Sequence, residues 1–291
     1  MPYFIITAGA TGAGKTSLIE KTMQHLGLHD DYVTILIDDL VEQNAVYKKK
    51  IFAILDDIRR ECLHQPKCIR NTVDELSDDM LTKFGNAYFE TRKGPYCVSS
   101  REETCDQLND TNLKEAVRDG KHVVFETQGK DIPTWLLHPD WIPEDYTIVM
   151  TFSLVTVDRL LERNTRRVRN NMLRFYVNQK GPAPRLPEIR PKPFTMVLKS
   201  IHKTLLTLYP RCIQSMHPEC GTRKINHLFL FDNNHHMKLI FDSQENVSFD
   251  EFAALISPFF PHVSSRTKRL HTIKRAMNRR KSVSYREGTP F

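Results

Sequence analysis

Apolar residues recur along this chain in two rhythms that alternate. Short unbroken runs predict buried strands: Tyr3–Thr7, Tyr32–Ile37, Lys121–Phe125 and Tyr146–Phe152. Between and after them the spacing changes to three and four, which predicts helices over Lys15–Leu26, Val41–Cys62, Glu75–Thr91, Glu102–Arg118 and Leu154–Asn171. Five prolines between Pro182 and Pro193 predict an irregular connection. Helical spacing resumes over Phe194–Leu208, and His227–Phe231 and Met237–Phe241 flank a polar turn as two further strands. A last amphipathic helix is expected within Phe249–Phe260. Strand, glycine loop, helix and strand within the first 38 residues make a βαβ unit, and hence a parallel sheet. The fold class expected is α/β: a three-layer arrangement with a mainly parallel sheet, in one domain over residues 1–262 with a large helical insertion at about 40–120.

Charge changes this picture at one end. The net charge of +7 suggests nucleic acid until it is located. Residues 264–291 hold nine basic residues and one acid, a net +8, which leaves 33 basic and 34 acidic residues, a net −1, for everything before them. The basic segment 263–291 therefore reads as a flexible tail, able to meet nucleic acid or an anionic surface. No apolar run is long enough to span a membrane, and the N-terminus lacks the basic and apolar regions of a secretory signal, so a cytosolic or nuclear location is expected. Six cysteines without a Cys-x-x-Cys spacing are expected to be reduced thiols. Cys212, His217 and Cys220 offer a weaker zinc reading that lacks a fourth ligand.

The chemistry starts in the first loop. Gly9-Ala10-Thr11-Gly12-Ala13-Gly14-Lys15-Thr16, followed by Ser17, fits G-x-x-x-x-G-K-[ST] in full, with a strand before it and a helix after it. Glycines let the backbone approach a triphosphate so that successive N–H groups face its oxygens, and the helix adds its positive end. Lys15 supplies a formal charge for the β- and γ-phosphates, and the Thr16 hydroxyl is a ligand for Mg²⁺. ATP and Mg²⁺ are therefore the expected cofactors. No Asn-Lys-x-Asp guanine reader and no Leu-Ser-Gly-Gly signature is present, and strand three ends in Glu126-Thr127 rather than Asp-Glu. A kinase fits better than a GTPase, a transporter ATPase or a motor.

Downstream residues supply the other parts of such a reaction. Asp38 and Asp39 are placed at the end of the second strand, where one of them, Asp38 first, can accept a hydroxyl proton; Asp39 could instead cap a helix beginning near Leu40. Glu126 ends the third strand, where it can hold Mg²⁺ through water or touch substrate, and Thr127, Gln128 and Gly129 continue that loop. Arg159, Arg163 and Arg166 share one face of the helix after strand four, the face either of a solvated helix or of a lid that neutralises a transferring phosphoryl group.

These motifs, with Phe125-Glu126-Thr127, the arginine helix and the later Phe231-Asp232-Asn233 and Leu239-Ile240-Phe241, resemble the zeta-toxin-like kinases and, more distantly, the polynucleotide, shikimate and gluconate kinases. The resemblance implies transfer of the γ-phosphate of ATP to a hydroxyl, which in zeta toxins belongs to a UDP-activated amino sugar. It implies phosphate and Mg²⁺ binding by Lys15 and Thr16, a base at Asp38 or Asp39, and a lid with Arg163 or Arg166. Here Asp39 is followed by Leu40-Val41-Glu42 rather than by the family's second aspartate-x-arginine element. The acceptor expected is a small nucleotide-like or sugar molecule. The alternatives are a nucleic-acid end kinase and an ATP-binding regulatory or assembly protein that transfers nothing. Replacing Lys15 with Ala is expected to abolish tight ATP binding in a calorimetric titration, and parental affinity in that variant would overturn the phosphate-loop reading.

Overall fold

In the computed structural model the described residues are 1–28, 32–61, 77–95, 97, 102–178, 183, 185, 191–214, 220–245 and 247–260. Six strands form one sheet: β1 (Tyr3–Ala8), β2 (Tyr32–Ile35), β3 (His122–Thr127), β4 (Thr147–Leu154), β5 (His227–Asp232) and β6 (Lys238–Asp242). Their order is β2-β3-β1-β4-β5-β6. The first five run parallel and β6 closes the edge antiparallel to β5, with a register shift between Leu230 and Phe231. The phosphate loop leaves the C-terminal end of the third strand in this order, with β3 and β4 on either side.

Alternation along β1 decides how the layers form. Phe4, Ile6 and Ala8 pack into one core with Val123, Ile148, Met150 and Phe152, while Ile5 enters a second core on the opposite face. The helix α1 (Lys15–His25) covers that second face with Leu18, Ile19 and Met23. On the first face lie α5 (Cys105–Arg118) and α7 (Pro191–Leu208), the latter contributing Phe194, Leu198, Ile201 and Leu205. A strand buried on both faces reads as one apolar run, which is why β1 and β4 were legible without alternation. The helix α8 (Phe249–Ile256), capped by a Ser248–Glu251 capping box, packs Phe252 against Tyr209 and Phe241 at ring separations of 4.4 and 5.0 Å from its neighbours Tyr209 and Phe241 respectively.

The insertion has a core of its own. It comprises α2 (Ile37–Gln43), α3 (Ala45–Glu61), α4 (Asp78–Lys93) and the start of α5, packed through Val41, Tyr47, Ile51, Leu55, Phe84 and Tyr88. The single helix expected from Val41 is divided at Asn44. That residue leaves α2 with an extended backbone, and its side-chain oxygen accepts from the N–H groups of Val46 (2.8 Å) and Tyr47, so it caps α3.

Several expectations are corrected. The strand β2 stops at Ile35, so Asp38 and Asp39 lie in the first turn of α2 rather than on a strand end or at a cap. Two acids there face the positive end of the helix. Pro191 and Pro193 begin α7 instead of belonging to an irregular connection, because the first-turn N–H groups of a helix need no intrahelical acceptor; Pro182, Pro184 and Pro187 lie outside the described residues. Cysteines expected as thiols are paired, Cys97 with Cys105 and Cys212 with Cys220. The second pair removes the thiolates that a zinc site would need. His217, Cys62, Cys68 and the tail 263–291 lie outside the described residues. Among those described, no helix is long and apolar enough to cross a membrane.

His202 on α7 is buried against Phe260, with ring centroids 4.8 Å apart, and burial depresses its pKa below the ordinary value of 6.5. Its contribution is present above the unfolded pKa and is lost as pH falls, because the unfolded chain takes up the proton first. Stability measured by denaturant unfolding should therefore fall as pH drops below about 6.5, and His202→Gln should flatten that decline. An unchanged slope would remove His202 as its source.

Candidate functional site

The loop between β1 and α1 is held by its outward-facing carbonyls. The Ser153 hydroxyl (2.5 Å) and the Asn233 amide (2.8 Å) both donate to the Ala13 carbonyl, and the Asn164 amide donates to that of Thr11 (3.0 Å). Gly9, Gly12 and Gly14 all have positive φ. A Cβ on Gly12 would stand 2.1 Å from the Asn164 side-chain oxygen, and one on Gly14 would stand 2.4 Å from the Asn233 nitrogen. The glycines are thus required both by conformation and by the anchors that press against them. Gly14 occupies the N-cap of α1 in the left-handed conformation, with no side-chain cap, so that end of the helix keeps its N–H groups for an anion.

Lys15 is 9% exposed and folds back over the loop. Its ammonium donates to the Gly9 carbonyl (3.2 Å) and pairs with Glu126 (3.1 Å), which the parallel register of β1 and β3 sets beside Thr7. In front of them opens a cleft of about 1090 Å³. Thr11, Gly12, Gly14, Lys15, Thr16, Asp38, Asp39, Glu126 and Arg163 all line it, so acids from α2 and β3 and an arginine from α6 (Val157–Asn178) converge before the lysine. Thr127 and Gln128 line it as well. Gly9, Ala10, Ala13, Ser17, Gly129 and Arg166 do not. Arg167 lines the cleft beside Arg163. Four residues after Arg163 the helix returns to within about 40° of the same direction, whereas three residues fall about 60° to the other side.

The two aspartates differ in their surroundings. One oxygen of Asp38 accepts from the Tyr88 hydroxyl (2.5 Å), and the other pairs with Arg185. Asp39 keeps its carboxylate towards the cleft, and partial burial followed by the charges of Asp38 and Glu126 raise its pKa above the ordinary carboxylate value. Arg185 was missed in the sequence because it sits among prolines with no periodic signal. Burial alone would lower its pKa, but Asp38, Tyr88, Glu126 and Glu42 outweigh that and hold it charged. Arg163 donates to the backbone carbonyl of Asn233 (2.7 Å), and Arg159 to that of Asn234 (3.3 Å). Burial and the neighbouring Arg159 and Arg166 push the Arg163 pKa down. Such crowding of positive charge suits a polyanion.

Asn233 links the β5–β6 turn to the phosphate loop and is itself buried. Asn233→Ala should lower stability by about 1–2 kcal/mol through the lost amide bond and weaken nucleotide binding with it. Thermal unfolding and calorimetry would check this, and unchanged nucleotide affinity would show that the loop does not depend on this anchor.

The family model described as Zeta toxin matches residues 1–51, which span β1, the phosphate loop, α1, β2, α2 and the start of α3. No curated protein matches the chain. Among solved structures, a chain from the PezAT chromosomal toxin–antitoxin system of Streptococcus pneumoniae superposes with a TM-score of 0.51 at 12% identity, covering 89% of this chain and 77% of that one. A second solved chain, from Chloroflexus aurantiacus, matches at 14% identity over 91% of this chain and 98% of its own, but its TM-score of 0.33 is too low to bear on the fold. The first 51 residues are thus similar to the Zeta toxin family, and the fold as a whole is similar to that of the PezAT chain.

Proposed function

We propose that this protein is an ATP-dependent phosphotransferase that moves the γ-phosphate to a hydroxyl of a small acceptor, with Asp39 as the base. The observation that carries the proposal is the meeting of Lys15, Asp39, Glu126 and Arg163 on one cleft. The phosphate loop and the start of α1 would hold the triphosphate through backbone N–H groups, with Lys15 released from Glu126 to the phosphates. The Thr16 hydroxyl and Glu126 fit Mg²⁺, which takes few protein ligands and fills the rest with phosphate and water. When bound, that ion would neutralise charge on the phosphates.

Protons and charge are then handled by this chain's own side chains. The acceptor hydroxyl gives its proton to a carboxylate while its oxygen attacks the γ-phosphorus and ADP leaves. Asp38 is the weaker choice, since both of its oxygens are engaged by Tyr88 and Arg185. Asp39 has a pKa raised towards the working range, as suits a general base. Arg163 and Arg167 stand where charge builds on the transferring group, and electrostatic stabilisation of that kind is a large part of phosphoryl transfer.

Labelled-ATP transfer assays on a panel of hydroxyl acceptors test the proposal. Asp39→Asn should reduce kcat by roughly 10²–10⁴-fold with ATP affinity retained, and Asp38→Asn should keep more of kcat. Full activity in the first and loss in the second would return the role to Asp38, and ATP binding without transfer to any acceptor would end the kinase reading. A base acts deprotonated, so kcat/KM should rise with pH along an acid limb lying above the ordinary carboxylate pKa. Glu126→Gln removes one of the charges that raise Asp39 and should move that limb to lower pH.

A further inference from the structure

The half of the cleft away from the phosphate loop is built by α4, α5 and the loop after β3, and nothing in the phosphate chemistry accounts for its composition. Residues of α4 at spacings of three and four face it, among them Phe84, Gly85, Tyr88 and Phe89. Gly85 is the anomaly. It stands inside a helix of 16 residues, where glycine loses more chain entropy than alanine, yet a Cβ added there would meet nothing within 4 Å. Neither packing nor a positive φ asks for it. A bare stretch of helix backbone beside aromatic rings is what a flat ligand lying against the helix would use.

Two further observations agree. Among the described residues, the exposed large apolar side chains include two aromatics, Phe89 (58% exposed) and Trp135 (49%), and both line this cleft. Exposed π faces in a concavity favour a planar ring. The polar groups beside them come from α5. Asp106 pairs with Arg92 (2.7 Å), while Asn109 and Asp110 also border the cleft and offer acceptors for ring N–H or amino groups. Charge also speaks against a diphosphate in this half. Asp106, Asp110 and Asp131 line the cleft with Arg92 and Lys130, and Arg92 is already committed to Asp106.

Building on the phosphotransferase reading, we infer that the acceptor is an unphosphorylated nucleoside whose heterocycle lies on α4 at Gly85, between aromatic side chains, with its hydrogen-bond donors towards Asn109 and Asp110. The group transferred is then the γ-phosphoryl. A nucleoside hydroxyl oxygen forms the new P–O bond, the bond to the β-phosphate oxygen breaks, the hydroxyl proton goes to Asp39, and ADP and a nucleoside monophosphate leave.

Calorimetric titration of the full chain with adenosine, cytidine, guanosine and uridine, each alone, and with a UDP-linked sugar provides the test. At least one nucleoside should bind more tightly than the sugar nucleotide. Gly85→Leu fills the bare stretch and should weaken that nucleoside by 10-fold or more, on the order of the loss of one stacked ring, while ATP affinity stays at the parental value and Tm is held or raised. Gly85→Ala, which only improves helix propensity, should hold or raise Tm and weaken the nucleoside less. Equal nucleoside affinity in Gly85→Leu, tighter binding of the UDP-linked sugar, or no nucleoside binding at all would overturn the inference. Transfer from labelled ATP in the same samples separates the two readings. Nucleoside binding sensitive to Gly85→Leu but without transfer would uphold the subsite and defeat the phosphotransferase, and transfer to a sugar nucleotide alone would do the reverse.

Discussion

A loop that turns its amide N–H groups towards one point must turn its carbonyls away from it, and those carbonyls need donors. Everything around the phosphate loop of this protein answers that demand. Ser153 from β4, Asn164 from α6 and Asn233 from the turn after β5 bond the carbonyls of Thr11 and Ala13. Three elements far apart in sequence are thereby fixed to one loop. The glycines follow from the same constraint, since the Asn164 and Asn233 side chains stand where a Cβ would have to go. Buried amides and carbonyls left without partners would be destabilising, so the anchors and the loop are conditions for each other.

The second organising contact is Asp38. It joins the first turn of α2 to Tyr88 on α4 and to Arg185 from the segment before α7. A carboxylate held by a guanidinium and a phenol is well suited to fixing the insertion over the sheet and poorly suited to collecting a proton. The adjacent Asp39 has the opposite character, open to the cleft and raised in pKa by partial burial and by its acidic neighbours. One position in sequence thus separates an acid engaged at both oxygens from one open to the cleft, because successive residues of a helix point about 100° apart.

The cleft joins surfaces of different origin. Its phosphate side rests on the sheet and is backed by the large apolar cores. Its other side rests on the insertion, whose smaller core of Val41, Tyr47, Ile51 and Phe84 supports an aromatic face and a short run of acids. The similarity to the Zeta toxin model, over residues 1–51, takes in the phosphate loop and the first part of the insertion.

How much could be read beforehand follows from the range of each interaction. The phosphate loop, the strands β1, β3 and β4 and the helices after β1 and β4 were legible, since apolar periodicity and glycine chemistry are local. The break at Asn44, the short β2 and the helical start at Pro191 were not, because a cap bond or a first-turn position leaves little trace in spacing. The disulfides and the presence of Arg167 rather than Arg166 in the cleft lining depended on which side chains meet. The sequence by itself determined a glycine loop between a buried strand and a helix, with acids and arginines after it. Only the tertiary structure decided that Asp38 is held by Tyr88 and Arg185, that Asp39 faces the cleft, and that Gly85 lies bare among aromatic rings. Each of those outcomes rests on contacts between residues dozens of positions apart, and their energies arise only once the chain has closed around them.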